Sequence, residues 1–132
     1  MARSEFETLR FYQLAETLAD KIWNVVLKWD SFAKNTVGNQ MVRAADSIGT
    51  NIAEGNGRRD VKDNRRFVRI AWGSLNETQH FLRRAYKRNL ITKSIADELS
   101  PIVSDLAPSL NAYHRSLTSE KLRTKQQISN NK

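Results

Sequence analysis

Four stretches of the chain repeat apolar residues every three or four positions, the spacing of an amphipathic helix. In the first, about residues 6–29, Leu9, Tyr12, Ala15, Leu18, Ala19, Ile22, Val26 and Trp29 fall on one stripe, and Ser4-Glu-Phe-Glu7 fits a capping box ahead of it. Residues 30–35 read as a connection. The second stretch, about 36–54, aligns Val37, Met41, Ala44, Ala45, Ile48 and Ile52. Gly55 and Gly57 follow, and either can take the left-handed conformation that ends a helix. Asp60, with Asp63 three residues on, opens a third helix that runs to about Asn89 and so spans roughly 43 Å. Thr92 is placed to cap a fourth, whose stripe is Ile95, Leu99, Ile102, Leu106, Leu110, Tyr113 and Leu117. From Ser119 the chain turns polar and is expected to be disordered. The pattern predicts one helical domain over 1–118 and a basic polar tail over 119–132.

Four amphipathic helices on short connections predict an all-α, up-and-down antiparallel four-helix bundle. Pro101 and Pro108 fall inside the fourth helix, where each removes a backbone hydrogen bond. A break at Ser100, with Pro101 opening a new segment, and a kink at Pro108 are expected. Five glycines and two prolines are too few for a turn-rich sheet protein, which favours long helices. The absence of cysteine excludes disulfides, thiolate zinc sites and thiol nucleophiles. No apolar run reaches the ~20 residues of a membrane span, and the first residues hold no apolar signal core. The expected compartment is the cytoplasm.

Charge changes this picture. The 132 residues carry 22 basic and 14 acidic side chains, net +8. Residues 58–88 alone carry ten basic and three acidic ones, and residues 119–132 four and one, whereas 1–57 and 89–118 each come to −1. With Phe67 at 0° on a helical wheel, Ile70, Ala71, Ser74, Leu75, Thr78, Phe81, Leu82 and Ala85 join it in an apolar arc. Arg58, Lys62, Arg65, Arg69, Trp72, Asn76, His80, Arg83 and Lys87 fall on the opposite side. A row of cations with an aromatic among them suits a phosphate backbone: guanidinium gives bidentate contacts and Trp72 offers a face for stacking. A solvated helix back kept for solubility is the competing account.

Other chemistry is sparse. Gly55-Asn-Gly57-Arg58-Arg59 precedes a helix as anion-binding loops do, but simple chain reversal explains it as well. His80 and His114 have no ligand partner at helical spacing, so neither a metal nor any other cofactor is expected. Asn76-Glu-Thr78 matches a glycosylation sequon but lies mid-helix.

The second helix carries a polar row, Gln40, Arg43, Ser47, Asn51 and Glu54, among small residues that let helices approach closely. Ser47 and Asn51, one turn apart, can hydrogen-bond across an interface. Arg43 and Glu54 are too far apart to pair with each other, and each is expected to be buried against another helix or subunit. With no nucleophile or second carboxylate beside them, the row reads as structural rather than catalytic.

The run from Gln40-Met-Val-Arg43-Ala-Ala45 to Asn51-Ile-Ala53-Glu54-Gly55 resembles the signature of the bacterial four-helix-bundle proteins first described from intervening sequences in 23S ribosomal RNA genes. Arg66-Phe67 with Ile70-Ala-Trp-Gly73-Ser-Leu75-Asn-Glu77, and the opening Leu9-Arg-Phe-Tyr12-Gln-Leu-Ala15, agree with it. Together they cover about residues 6–117. Pro101 and Pro108, and an alanine at position 33 where a proline is commoner, depart from that family's pattern. The resemblance implies a compact bundle forming a homopentamer, without enzymatic activity. A related group serves as accessory subunits of reverse transcriptases in diversity-generating retroelements. The expected function is therefore a non-enzymatic, homo-oligomeric nucleic-acid-binding protein, with RNA preferred to DNA. Its site would be Arg58, Lys62, Arg65, Arg69, Trp72, Arg83 and Lys87. The alternative is a scaffold that docks a partner such as a reverse transcriptase.

Overall fold

The structure is a computed structural model that describes the backbone of residues 5–130 and the side chains of residues 6–117. Four long helices form it: α1 (Arg10–Val26), α2 (Asn39–Asn56), α3 (Val61–Lys87) and α4 (Lys93–Asn130). Each packs against the next in the chain, and α1 closes the ring against α4, as an up-and-down bundle requires. The predicted stripes supply the core. Leu18 and Ile22 of α1, Met41, Ile48 and Ile52 of α2, and Leu99, Leu106 and Leu110 of α4 are fully buried. Each contributes about 1.5–3 kcal/mol by leaving water. Lys21 of α1 adds a surface tie, its Nζ 2.6 Å from Glu98 Oε1 of α4.

The helix boundaries show where local chemistry departs from periodicity. A 3₁₀ turn, Glu5–Thr8, precedes α1, which starts at Arg10 with no side-chain cap; Ser4 of the expected capping box lies outside the described residues. The connection after α1 is shorter than expected. Asp30 accepts a hydrogen bond from the Ala33 amide at 2.9 Å, which starts helix at Ser31. A π-helical segment, Lys34–Gly38, then carries the chain into α2. Gly38 is required there: a Cβ would stand 2.8 Å from Val26 Cγ1 and 3.0 Å from the Ala33 carbonyl oxygen.

Neither Gly55 nor Gly57 takes the left-handed conformation. Gly57 caps α2 in a right-handed conformation, and Gly55 serves close packing instead. A Cβ at Gly55 would meet Asn64 Oδ1 at 2.6 Å and Phe67 Cβ at 2.8 Å. The left-handed residue is Asn89, φ 59°. It ends α3 with paired bonds from Leu90 N to the Ala85 carbonyl and from Asn89 N to the Tyr86 carbonyl, a Schellman motif with asparagine in the usual glycine place. Asp60 and Thr92 cap their helices as expected, accepting from the amides of Lys62 at 3.0 Å and Ile95 at 3.2 Å.

The fourth helix corrects an expectation. It continues unbroken through Pro101 and Pro108, so no new segment starts at Ser100. Both prolines are exposed, so the carbonyls of Asp97 and Ser104 that lose a ladder partner face water. At 38 residues, about 57 Å, α4 outruns α3 and continues to Asn130, through most of the segment expected to be a disordered tail.

Candidate nucleic-acid interface

The buried face of α3 centres on Asn64, Val68, Ala71, Leu75, Thr78 and Ala85, about 40° from the centre of the predicted arc. Ile70, expected in the core, is consequently exposed, and Arg65 and Trp72 move to the flank, where both are half-buried. The Gly55 contact explains the turn: α2 comes so close that Asn64 faces it directly. Serine and threonine inside this helix cause no loss, since Thr78 Oγ1 donates to the Ser74 carbonyl at 2.8 Å.

The predicted stripe resolves into three parts. At the start of α3, Arg58 is already answered: its guanidinium lies 3.2 Å from Glu54 Oε2 and 3.6 Å from Asp63 Oδ2, and 4.9 Å from the Phe67 ring centroid. Arg66 packs over the same ring at 4.5 Å and pairs with Asp63 at 3.1 Å. Lys62 is exposed beside this cluster. The middle part holds Arg65 and Arg69, which face His114 of α4. Arg69 Nη1 is 3.4 Å from His114 Nε2, and Arg65 Nε is buried without a hydrogen-bond partner among the described residues. Burial and then the nearby Arg65 and Arg69 hold the His114 pKa below its ordinary value. Beyond the half-buried Trp72 and the uncharged Asn76, Arg83 and Lys87 form the third part, exposed and without ion pairs among the described residues. The positive surface is thus two clusters about 21 Å apart along α3 rather than one continuous stripe.

The polar row of α2 divides as well. Ser47 Oγ meets Ser74 Oγ at 2.9 Å across the α2–α3 interface, and Asn51 Nδ2 donates to the Ser47 carbonyl at 2.8 Å and to its Oγ at 3.0 Å. Gln40, Arg43 and Glu54 are exposed in the protomer, so neither Arg43 nor Glu54 is buried against another of its helices. Glu54 pairs with Arg58, while Arg43 has no ion pair among the described residues. Helix α2 turns these positions outward because its buried stripe, Met41, Ala45, Ile48 and Ile52, occupies the other side.

Two features escape a helix-by-helix reading. His114 joins Arg65 and Arg69 only through the packing of α4 on α3. The second is a groove of about 830 Å³ between α1 and α2, floored by Ala15, Ala19, Ala45, Gly49 and Ala53. Glu16, Asp20, Asp46 and Glu54 edge it, with Arg58 at one end. The Asp46 pKa is raised from its ordinary value by burial and then by Asp20. The sequence signal was a pair of matched rows: Glu16 and Asp20, like Thr50 and Glu54, stand one turn apart beside alanines and glycine. Among the described residues, no three acidic or histidine side chains gather as a metal site would need. No helix among the described residues is long and apolar enough to cross a membrane.

Comparison with known proteins agrees with this architecture. A crystal structure of a protein of unknown function from the S23 ribosomal protein family of Bacteroides thetaiotaomicron VPI-5482 superposes with a TM-score of 0.69. It is 21% identical and covers 78% of this chain and 96% of its own, a likeness of fold. No curated protein matches. A family model matches residues 7–112, which takes in α1, α2, α3, the Ser47–Asn51 row and both cationic clusters. By that match the chain belongs to the family of 23S rRNA-intervening sequence proteins.

Proposed function

We propose that the protein is a non-enzymatic, homo-oligomeric nucleic-acid-binding protein of the cytoplasm that takes RNA in preference to DNA. The observation that carries this reading is the segregation of cations without ion pairs to the outer side of α3, Arg65 and Arg69 beside His114 and, further along the helix, Arg83 and Lys87. A solubilising surface would disperse its charge, whereas a phosphate backbone rewards its concentration. The family's name, which refers to 23S rRNA, favours RNA. Trp72 is half-buried against the core and so offers less than a free stacking platform.

Self-association is supported by a second pair of facts. One side of the protomer is cationic and the α1–α2 groove is anionic, which suits a head-to-tail contact that closes into a ring. Trp23 and Phe32, 52% and 79% exposed, are large apolar groups that a lone protomer leaves in water. The resemblance noted above implies five copies.

Filter binding to single-stranded RNA over a range of salt concentrations tests the first claim. Affinity should fall steeply with salt, with a log–log slope of about −0.7 for each phosphate contacted. Light scattering tests the second and should give about five times 15.2 kDa, or ~76 kDa. A salt-independent affinity, or a 15.2 kDa particle at micromolar concentration, would overturn the respective claim. Capture of a reverse transcriptase that survives nuclease treatment would move the cationic surface to protein docking.

A further inference from the structure

The second cationic cluster, Arg83 and Lys87, borders a cleft between the end of α3 and the start of α4. Its volume is about 340 Å³, and Leu82, Ile91, Leu99 and Val103 make its walls. Arg83 and Lys87, one helical turn apart, also line it, and so does Tyr86. Tyr86 is 46% exposed although it is aromatic and sits on a helix whose other large apolar groups are mostly covered. The same residue borders a second hollow, of about 440 Å³, with Asn89, Thr92 and Lys93. Tyr86, with Lys87 and Ile91, therefore lines both recesses, and the second adds Lys93, which pairs with Asp97.

We infer that this cleft receives an unpaired nucleobase of a single-stranded nucleic acid, stacked on Tyr86, while Arg83 and Lys87 hold the adjoining phosphates. The inference rests on the nucleic-acid reading above and adds a base-binding site to it. Three features of the cleft select this occupant. Its volume lies at the lower end of the roughly 300–1,000 Å³ usual for small-ligand sites, a size that suits one nucleotide. Its walls are apolar, which suits the faces of a base, and Gln79 and Ser100 on its lining can hydrogen-bond to a base edge. Its cations make no ion pairs among the described residues and are themselves the second of the two clusters proposed to hold the backbone. A stacked base resists salt where phosphate contacts do not, so the two contributions separate experimentally.

The conformation of the chain serves this arrangement. The Schellman turn at Asn89 brings Leu90 back toward Ala85, and Ile91, just after it, lines the cleft with Tyr86. Tyr86 thus stands at the end of a helix, beside a hydrogen-bonded turn rather than on a free loop, which lowers the ordering cost of stacking.

The test compares two probes of equal length, a 15-mer oligoadenylate and an abasic ribose-phosphate strand, on the whole protein. Wild type should bind the base-bearing strand roughly 10-fold more tightly at moderate salt. Tyr86→Ala should reduce that preference to near unity while leaving affinity for the abasic strand unchanged, and Tyr86→Phe should keep it. The position is exposed, so a circular-dichroism melt should place both variants within a few degrees of wild type. Equal wild-type affinity for the two probes, or a preference that persists in Tyr86→Ala, overturns the base-binding site and leaves the phosphate surface standing. Failure of wild type to bind either probe overturns the nucleic-acid reading itself. Polyglutamate that binds wild type better than either strand, and loses this in Tyr86→Ala, would assign the cleft to an acidic protein and overturn the inference.

Discussion

The outer side of α3 and the groove between α1 and α2 are built from the same type of helix and end with opposite electrostatics. On α3 the cations are long side chains that stand clear of one another, and their charge is largely unanswered. In the groove Asp20 and Asp46 are short side chains beside a floor of alanine and glycine, and burial and then Asp20 raise the Asp46 pKa. Long side chains can move apart when they repel, whereas short ones on a small-residue floor cannot. The cationic side therefore tolerates its repulsion until an extended polyanion arrives. The anionic side carries a standing electrostatic cost that a close cationic surface would relieve.

Reversing charge on each side in turn should separate the two roles. Arg69, Arg83 and Lys87 all changed to Glu should lower RNA affinity by at least 100-fold, flatten the log–log salt slope by about 2, and lower the particle mass as well, because the same side is proposed to meet the next protomer's groove. Asp46→Lys should reduce only the mass seen by light scattering, while each protomer keeps its own phosphate contacts. A triple variant that binds like wild type would leave the cationic side as a solvated surface only.

Gly55 lies where the two regions meet, at the joint between α2 and α3. Gly55→Ala forces a Cβ into Asn64 and Phe67 and should destabilise the fold by ~1–3 kcal/mol, read as a fall in melting temperature. An unchanged melting temperature would show that α3 can shift outward without loss, and that its 40° phase offset is not set by this contact.

A smaller effect is expected at His114. Its pKa is lowered in the free protein by burial and by Arg65 and Arg69, so protonation is disfavoured there. A phosphate bound beside those arginines would offset their charge and raise the pKa again, so that binding takes up a proton. Affinity for RNA should then rise a few-fold as pH falls from about 7.5 to 5.5, around the ordinary histidine pKa of about 6.5. His114→Ala should flatten this dependence. The sign for folding is the opposite. A lowered native pKa means the unfolded chain binds the proton first, so stability falls as pH drops below the ordinary value.

Arg58 should show the smallest effect. With Glu54 and Asp63 both on its guanidinium, Arg58→Ala should change RNA affinity less than two-fold by filter binding, against a larger loss for Arg83→Ala. Equal losses at the two positions would mean that the ion pairs open when RNA binds.

Much of the fold could be read from periodicity because a bundle's core is a pattern of single residues. Every stripe residue predicted on α1, α2 and α4 is buried or half-buried. Rotation of α3 could not be read that way. Ile70 looks like core on a wheel, yet it is exposed, because the buried face of α3 is turned about 40° from the wheel's arc. Nor could pairing across helices be foreseen: Arg58 belongs to its acidic neighbours and His114 to the arginines of α3 because the chain folds back. The polar row of α2 was legible at Ser47 and Asn51, which bond at short range and across one interface. Its charged members, Arg43 and Glu54, depend on surfaces that a single sequence does not specify.

The π-helical segment before α2 has a consequence for chain length. Bonds from i to i+5 accommodate one residue more than an α-helical ladder, and so leave everything before Lys34 about 100° out of step with α2. Phe32 stands outside while Val37 and Met41 are buried. The segment behaves as a splice in which an extra residue is stored without disturbing the register of the core that follows. Removing one residue from it, such as Asn35, would convert it to ordinary α-helix, leave α2 in place and swing Phe32 round the axis. A one-residue change of length here would therefore keep the same bundle and present different side chains at that corner.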